Sequence, residues 1–145
     1  MNELQNTVKV GDDVPEHVSP EISRHVLALF CGASGDHNPM HVDIDFAQSF
    51  GMPDVFVHGM LSMAYLSQLL TRWVPQCRIR SFGVRFVAIA PVHAQLVCTG
   101  KVIEVLRVDG ERRARLEINA RTDAGIHTLA GEAVIGLPGE QHVQT

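Results

Sequence analysis

Asp36 and His41 lie five positions apart in the stretch Phe30-Cys31-Gly32-Ala33-Ser34-Gly35-Asp36-His37-Asn38-Pro39-Met40-His41. A carboxylate and an imidazole that face one water molecule can orient it, take a proton from it and hand one back. Pro39 stands between them. It has no amide hydrogen, and it biases Asn38 away from helical angles. The pair therefore belongs on a bent loop on which both side chains can converge. A carboxylate hydrogen-bonded to the imidazole would fix its tautomer and raise its basicity. Spacing alone favours a second reading: Asp36 caps a turn and His41 is a partly exposed surface histidine.

Other groupings carry less chemistry. His37 and His41 are four apart and would share an ion on a helix, but Pro39 opposes a helix and no third ligand is evident, so no metal is expected. Asn38 either belongs to an Asn-Pro turn or orients a neighbouring side chain through its amide. His58-Gly59-Met60 opens an apolar helical pattern. Amide hydrogens at a helix start are unpaired and carry positive potential, so they could stabilise negative charge on a carbonyl oxygen. Gly59 lacks a side chain that would obstruct that approach, or it is simply permissive at the turn. Arg78, Arg80 and Arg85 read as solvated sheet positions. No glycine-rich phosphate loop and no Gly-x-Ser-x-Gly elbow occurs.

The elements that must hold these residues follow from periodicity. Residues 7–18 read as extended, turning at Gly11-Asp12-Asp13. Ser19-Pro20-Glu21 reads as a helix start, with Ile22, Val26, Leu29 and Phe30 on the buried face and an end near Gly32 or Gly35. Asp45 with Gln48 resembles a capping box for a short helix stopping at Gly51. Residues 52–57 form a loop. A longer helix, apolar around most of its circumference, runs from 59 to 73, closed by Pro75. The remaining half reads as strands at 78–89, 94–107, 112–122 and 127–136. Asp109-Gly110 marks a hairpin between the second and third of these. In the third, Ala114, Leu116, Ile118 and Ala120 alternate with polar residues, so one sheet face is wet. Helices followed by a meander of strands predict an α+β fold.

The whole chain sets bounds. Its 145 residues suit a single domain, 1–145, with a real core. A formal net charge of −4 without a basic run makes nucleic acid an improbable partner. Cys31, Cys77 and Cys98 are an odd number without metal-ligand spacing, consistent with free thiols in a reducing cytoplasm. The polar start, Met1–Asn6, lacks the pattern of a signal peptide, and the apolar segment near 60–70 is too short for a membrane span.

Residues 30–60 as a whole resemble the MaoC-like family of R-specific enoyl-CoA hydratases. The matching positions are Phe30, Ser34 through His41, Asp43, Ala47, Gly51 and His58-Gly59-Met60. The resemblance implies a hot-dog fold, in which a curved antiparallel sheet wraps one long helix. It implies reversible syn addition of water to trans-2-enoyl thioesters, giving R-3-hydroxyacyl thioesters. Asp36 and His41 would be the catalytic pair. Gly59 would offer an amide to the thioester carbonyl, and Asn38 would support the geometry. The implied substrate is an acyl-CoA or acyl-carrier-protein thioester, the implied assembly a homodimer or larger, and no metal or redox cofactor is needed. A hot-dog thioesterase and a non-catalytic acyl-thioester-binding subunit are the competing functions. The chain departs from many relatives at Pro91-Val92-His93-Ala94, where they carry a Gly-Asp pair; a turn is expected there.

Overall fold

The computed structural model describes residues 7–138, so the polar start at Met1–Asn6 lies outside the described residues. Five strands, β1 Asp13–Val18, β2 Ile79–Phe86, β3 Leu96–Val108, β4 Glu111–Thr122 and β5 His127–Gly136, form one sheet among the described residues. Its order is β1-β3-β4-β5-β2, and every neighbouring pair is antiparallel. Asp109 (φ 50°) and Gly110 (φ 81°) both take positive φ, the pattern of a type I′ hairpin turn that matches strand twist. The alternation read in β4 is borne out: Ala114, Leu116, Ile118 and Ala120 are fully buried.

Three helices precede or interrupt the strands: α1 Arg24–Ser34, α2 Ile44–Ser49 and α3 Gly59–Trp73. The 15-residue α3 buries Leu61, Leu66, Leu69 and Leu70 and touches all five strands. A curved antiparallel sheet around one long helix is the hot-dog arrangement, an α+β fold. Complete burial of one large aliphatic side chain is worth about 1.5–3 kcal/mol, so the α3 seam is a main source of stability.

Two helix starts differ from the sequence reading. Ser19 does not cap α1. Its amide donates to the Leu96 carbonyl (2.9 Å), and its Oγ accepts from the Leu96 amide (2.9 Å). Ile22 donates to Ala94 (3.0 Å), so residues 19–22 continue the pairing with β3 instead of coiling. The helix waits for Ser23, whose side chain accepts from the Val26 amide at 3.3 Å. Ile22 is fully buried before the helix begins, and Leu29 is exposed, so the buried face within α1 reduces to Leu27 with support from Val26 and Phe30. Gly35, in the left-handed region (φ 77°), ends α1 by donating to Cys31. Asp43, not Asp45, caps α2, accepting from the Phe46 amide at 3.1 Å. Asp45 sits within the first turn, where an acid still favours the helix start. The first predicted strand also begins later, at Asp13, after the turn at Gly11.

Candidate active site

The loop leaving α1 is held by its own polar side chains. The Asp36 amide donates to Ser34 Oγ (3.2 Å), and Asp36 Oδ1 accepts from the Asn38 amide (3.3 Å). Asn38 Oδ1 in turn accepts from the Met40 amide (3.1 Å), capping a 3-10 turn over Pro39–His41. Asn38 therefore acts on the loop's shape. Pro39 occupies the first position of that turn, where a missing amide hydrogen costs nothing. The result is the bend that Pro39 predicts, and it brings Asp36 Oδ2 to 4.0 Å from His41 Nε2.

His41 is oriented by the main chain. Its Nδ1 lies 2.7 Å from the Phe56 carbonyl oxygen, which can only accept, so Nδ1 carries a proton, and in the neutral ring Nε2 is bare. That bare nitrogen is the one facing Asp36. The expected direct carboxylate–imidazole bond is replaced by two partners: a carbonyl fixes the tautomer, and the carboxylate stands 4.0 Å off. One water can hydrogen-bond to both groups across such a gap, with contacts of about 2.8 Å. The Phe56 carbonyl is itself pinned, because Phe56 pairs with Pro91 and the Val57 amide donates to Ala90 (2.9 Å). His41 is buried, whereas the Asp36 side chain is about half exposed (47%).

His58 completes the cluster, and the sequence reading gave it no role. It is fully buried at the start of α3. Its ring stacks on that of His41, with centroids 3.8 Å apart and planes 25° apart, and meets the edge of Phe30 at 4.9 Å. Its Nε2 lies 3.3 Å from the Asp36 carbonyl oxygen. Burial first, and the adjacent His41 second, push the His58 imidazole below its ordinary value. The sequence signals are position 58 just before an apolar helical run and its place among the family-matching positions; that a ring there reaches back across 22 residues is tertiary information.

Asp36, His41 and His58 could each offer one ligand atom to a cation, all within 4.8 Å of one another. The stacking sets the lone pairs of the two rings side by side. An ion at about 2.0–2.1 Å from both nitrogens would require the stack to open. His37, the partner considered from spacing, is exposed and outside this cluster.

A cavity of about 380 Å³ opens beside the start of α3, lined by Phe56, Val57, Gly59, Ser62, Phe86 and Leu129 among others. Phe56 lines this cavity, which Asp36 and His41 do not, and its ring packs edge-on against His41 at 4.9 Å. Gly59 begins α3 at the cavity wall. A Cβ there would lie 3.0 Å from Cδ1 and Cε1 of Phe86, so the glycine makes room for that ring. At the family departure, His93 occupies a left-handed turn position (φ 70°) and donates its amide to Ile22 (2.8 Å). Its ring bridges Glu21 (2.6 Å) and Arg24 (2.9 Å), and Arg24 pairs with Asp54. The turn expected there is present, tied to α1 and to the 52–57 loop.

The hot-dog fold has counterparts among known proteins. The chain belongs to the family described as MaoC like domain, which it matches over residues 5–122. The (R)-specific enoyl-CoA hydratase of Aeromonas caviae is 33% identical over 113 residues, covering 77% of this chain and 84% of that protein. The (R)-specific enoyl-CoA hydratase of Rhodospirillum rubrum is 34% identical, covering 88% and 90%. The unliganded R-hydratase of Pseudomonas aeruginosa superposes with a TM-score of 0.79 at 30% identity, covering 94% of this chain and 86% of that one. The chain also matches fatty acid synthase β subunits of Cochliobolus carbonum and Saccharomyces cerevisiae, of whose length it spans only 5% and 6%.

Proposed function

We propose that this protein is an R-specific enoyl-CoA hydratase, acting reversibly on trans-2-enoyl thioesters. The observation that supports this most directly is the bare Nε2 of His41, facing Asp36 Oδ2 at 4.0 Å while Nδ1 is committed to the Phe56 carbonyl. A water held between them loses a proton to Nε2 as its oxygen bonds to C3 of the enoyl group. The C2–C3 π pair shifts to C2 and onto the thioester oxygen, leaving an enolate-like species. Unpaired amides at the start of α3, that of Gly59 among them, receive the negative oxygen. The enolate collapses as the protonated Nε2 of His41 returns its proton to C2 from the same face, which restores the neutral imidazole. The chemistry is acid–base throughout, and CoA enters as part of the substrate.

The matches to fatty acid synthase β subunits favour one variant of this reading: the same hydration run in reverse, on an acyl group carried by a carrier protein. Exposed Phe86, Val87 and Ile89, at or just beyond the end of edge strand β2 and lining the cavity, support a homodimer that covers this rim. The three free cysteines suit a reducing cytoplasm. Among the described residues no helix is long and apolar enough to cross a membrane.

The test is a substrate panel of crotonyl-CoA, longer and bulkier enoyl-CoA esters and enoyl carrier protein. Loss of enoyl absorbance without thiol release is expected; release of free CoA would make the protein a thioesterase. Asp36→Asn and His41→Ala should each lower kcat by about 10²–10⁴-fold with the fold intact. Near-normal turnover in either would remove its assigned role.

A further inference from the structure

We propose that His58 is a positioning residue that sets both members of the Asp36/His41 pair from a single ring. The inference rests on the acid–base reading above. Among the described residues, the His58 side chain meets both partners: its Nε2–H reaches the Asp36 carbonyl (3.3 Å), and its face lies against the His41 ring (3.8 Å).

The Asp36 carboxylate needs outside support. Among the described residues its Oδ1 is held by the Asn38 amide of the same loop, and the side chain is half exposed. Fixing the peptide that follows Asp36 therefore controls where Oδ2 stands. His41 has one ring atom tied, Nδ1 to Phe56, which still leaves rotation about that bond. Stacking on one face by His58 and edge contact from Phe56 remove that freedom. Phe30 adds a second ring contact to His58, edge-on at 4.9 Å.

The orphaned nitrogen supports the argument independently. The Asp36 carbonyl can only accept, so Nε2 of His58 carries the proton and Nδ1 is bare. Nδ1 is buried without a hydrogen-bond partner. A buried unpaired acceptor is costly, and an apolar ring would fill the same space without that cost. What an apolar ring could not supply is the Nε2–H donor. The neutral form also fits the work: a charged His58 would place a second cation against His41 whenever His41 holds the proton taken from water. The charged or titratable groups that face His58 are Asp36, from the loop after α1, and His41, from the 3-10 turn.

Three variants assayed on crotonyl-CoA separate this role from packing. His58→Phe keeps a ring against His41 and removes the donor; kcat should fall about tenfold to hundredfold, the usual scale for a supporting shell, with KM within about twofold. His58→Gln restores a donor at similar reach and should recover most of that loss in kcat. His41→Ala checks the parent reading: if it retains turnover, the acid–base assignment fails whatever His58 does. With His41→Ala inactive, normal kcat in His58→Phe would overturn the positioning role, and so would a Gln variant no better than Phe. Nitrogen NMR of the unsubstituted protein at neutral pH gives a readout independent of variant folding. The His58 ring should show Nε2 protonated and Nδ1 bare; the opposite tautomer, or an imidazolium, would overturn the inference.

Discussion

Gly59 is the site residue for which structure and chemistry give competing explanations, and one substitution separates them. In Gly59→Ala the new methyl would stand 3.0 Å from two carbons of the Phe86 ring, where ordinary contact begins near 3.5 Å. The ring must therefore move by about half an ångström. It can: Phe86 is 54% exposed at the end of an edge strand. The clash should accordingly cost about 1 kcal/mol, the low end of overpacking. Gly59 does not take positive φ, so alanine adds no backbone strain, and alanine's helix preference returns up to about 0.5–1 kcal/mol. The two nearly cancel, and Tm should stay within roughly 3 °C of the parent. Activity should not be spared. The amide hydrogen survives, but the methyl crowds the space through which a carbonyl must come. A loss of about tenfold to hundredfold in kcat/KM is expected, below the roughly 10²–10³-fold cost of removing a donor outright. The assay is a double-mutant cycle with Phe86→Ala on crotonyl-CoA. If the methyl obstructs the carbonyl, removing the Phe86 ring does not help. If Gly59→Ala regains full activity in the Phe86→Ala background, or shows normal kinetics alone, Gly59 exists to seat a ring and the oxyanion assignment is refuted.

Stability should depend on pH through His58 and His17, both lowered chiefly by burial. A histidine whose native value is depressed binds fewer protons folded than unfolded, so stability is lost as pH falls from about 6.5 toward the native value. Melting temperature should drop between pH 7 and pH 5, and His17→Asn should flatten that slope; a flat parent profile would contradict both assignments. Burial pushes the Cys98 thiol up to about 12, whereas Cys77 is exposed. A thiol reagent should label Cys77 in the native protein and Cys98 only after unfolding, and rapid native labelling of Cys98 would disprove its burial. Cys77→Ser should therefore lower the background of any assay for released CoA.

The parts of the fold legible in the sequence are those decided locally. Alternation in β4 reports a one-sided sheet because the pleat has period two, and Ala114, Leu116, Ile118 and Ala120 all lie inside. Asp109-Gly110 marks its turn because few residues accept two successive positive φ values. The bend at Pro39 follows from the ring's own restriction. Where the reading slipped, a local signal met a distant partner. Ser19-Pro20-Glu21 carries every mark of a helix start, yet Leu96 and Ala94, more than 70 residues away, offer ladder bonds that hold this segment extended. Ser23 then caps in its place. Asp45 has the better capping-box pattern, with Gln48 three residues on, yet Asp43 caps the helix, because the 3-10 turn over Pro39–His41 delivers the chain to it first.

The same division applies inside the site. Asp36 and His41 could be read as a pair because the loop that joins them is short and bent by its own composition. What makes them unequal could not be read. The acceptor that fixes His41 is a main-chain carbonyl, and any residue at position 56 would supply one. Side-chain identity at 56 carries no trace of that role, although the phenyl ring adds the edge contact. Nor does the chain's local pattern show that the loop at 52–57 is tied to Ala90 and Pro91, which is what keeps the carbonyl in place. In the proposed mechanism the 52–57 loop sets the tautomer, and the tautomer sets which nitrogen would meet the water. Lengthening the 52–57 loop or breaking its pairing with residues 90–91 would therefore act on the chemistry with both Asp36 and His41 still present. Whether the motif functions thus depends on three segments distant in sequence arriving at the start of α3 together.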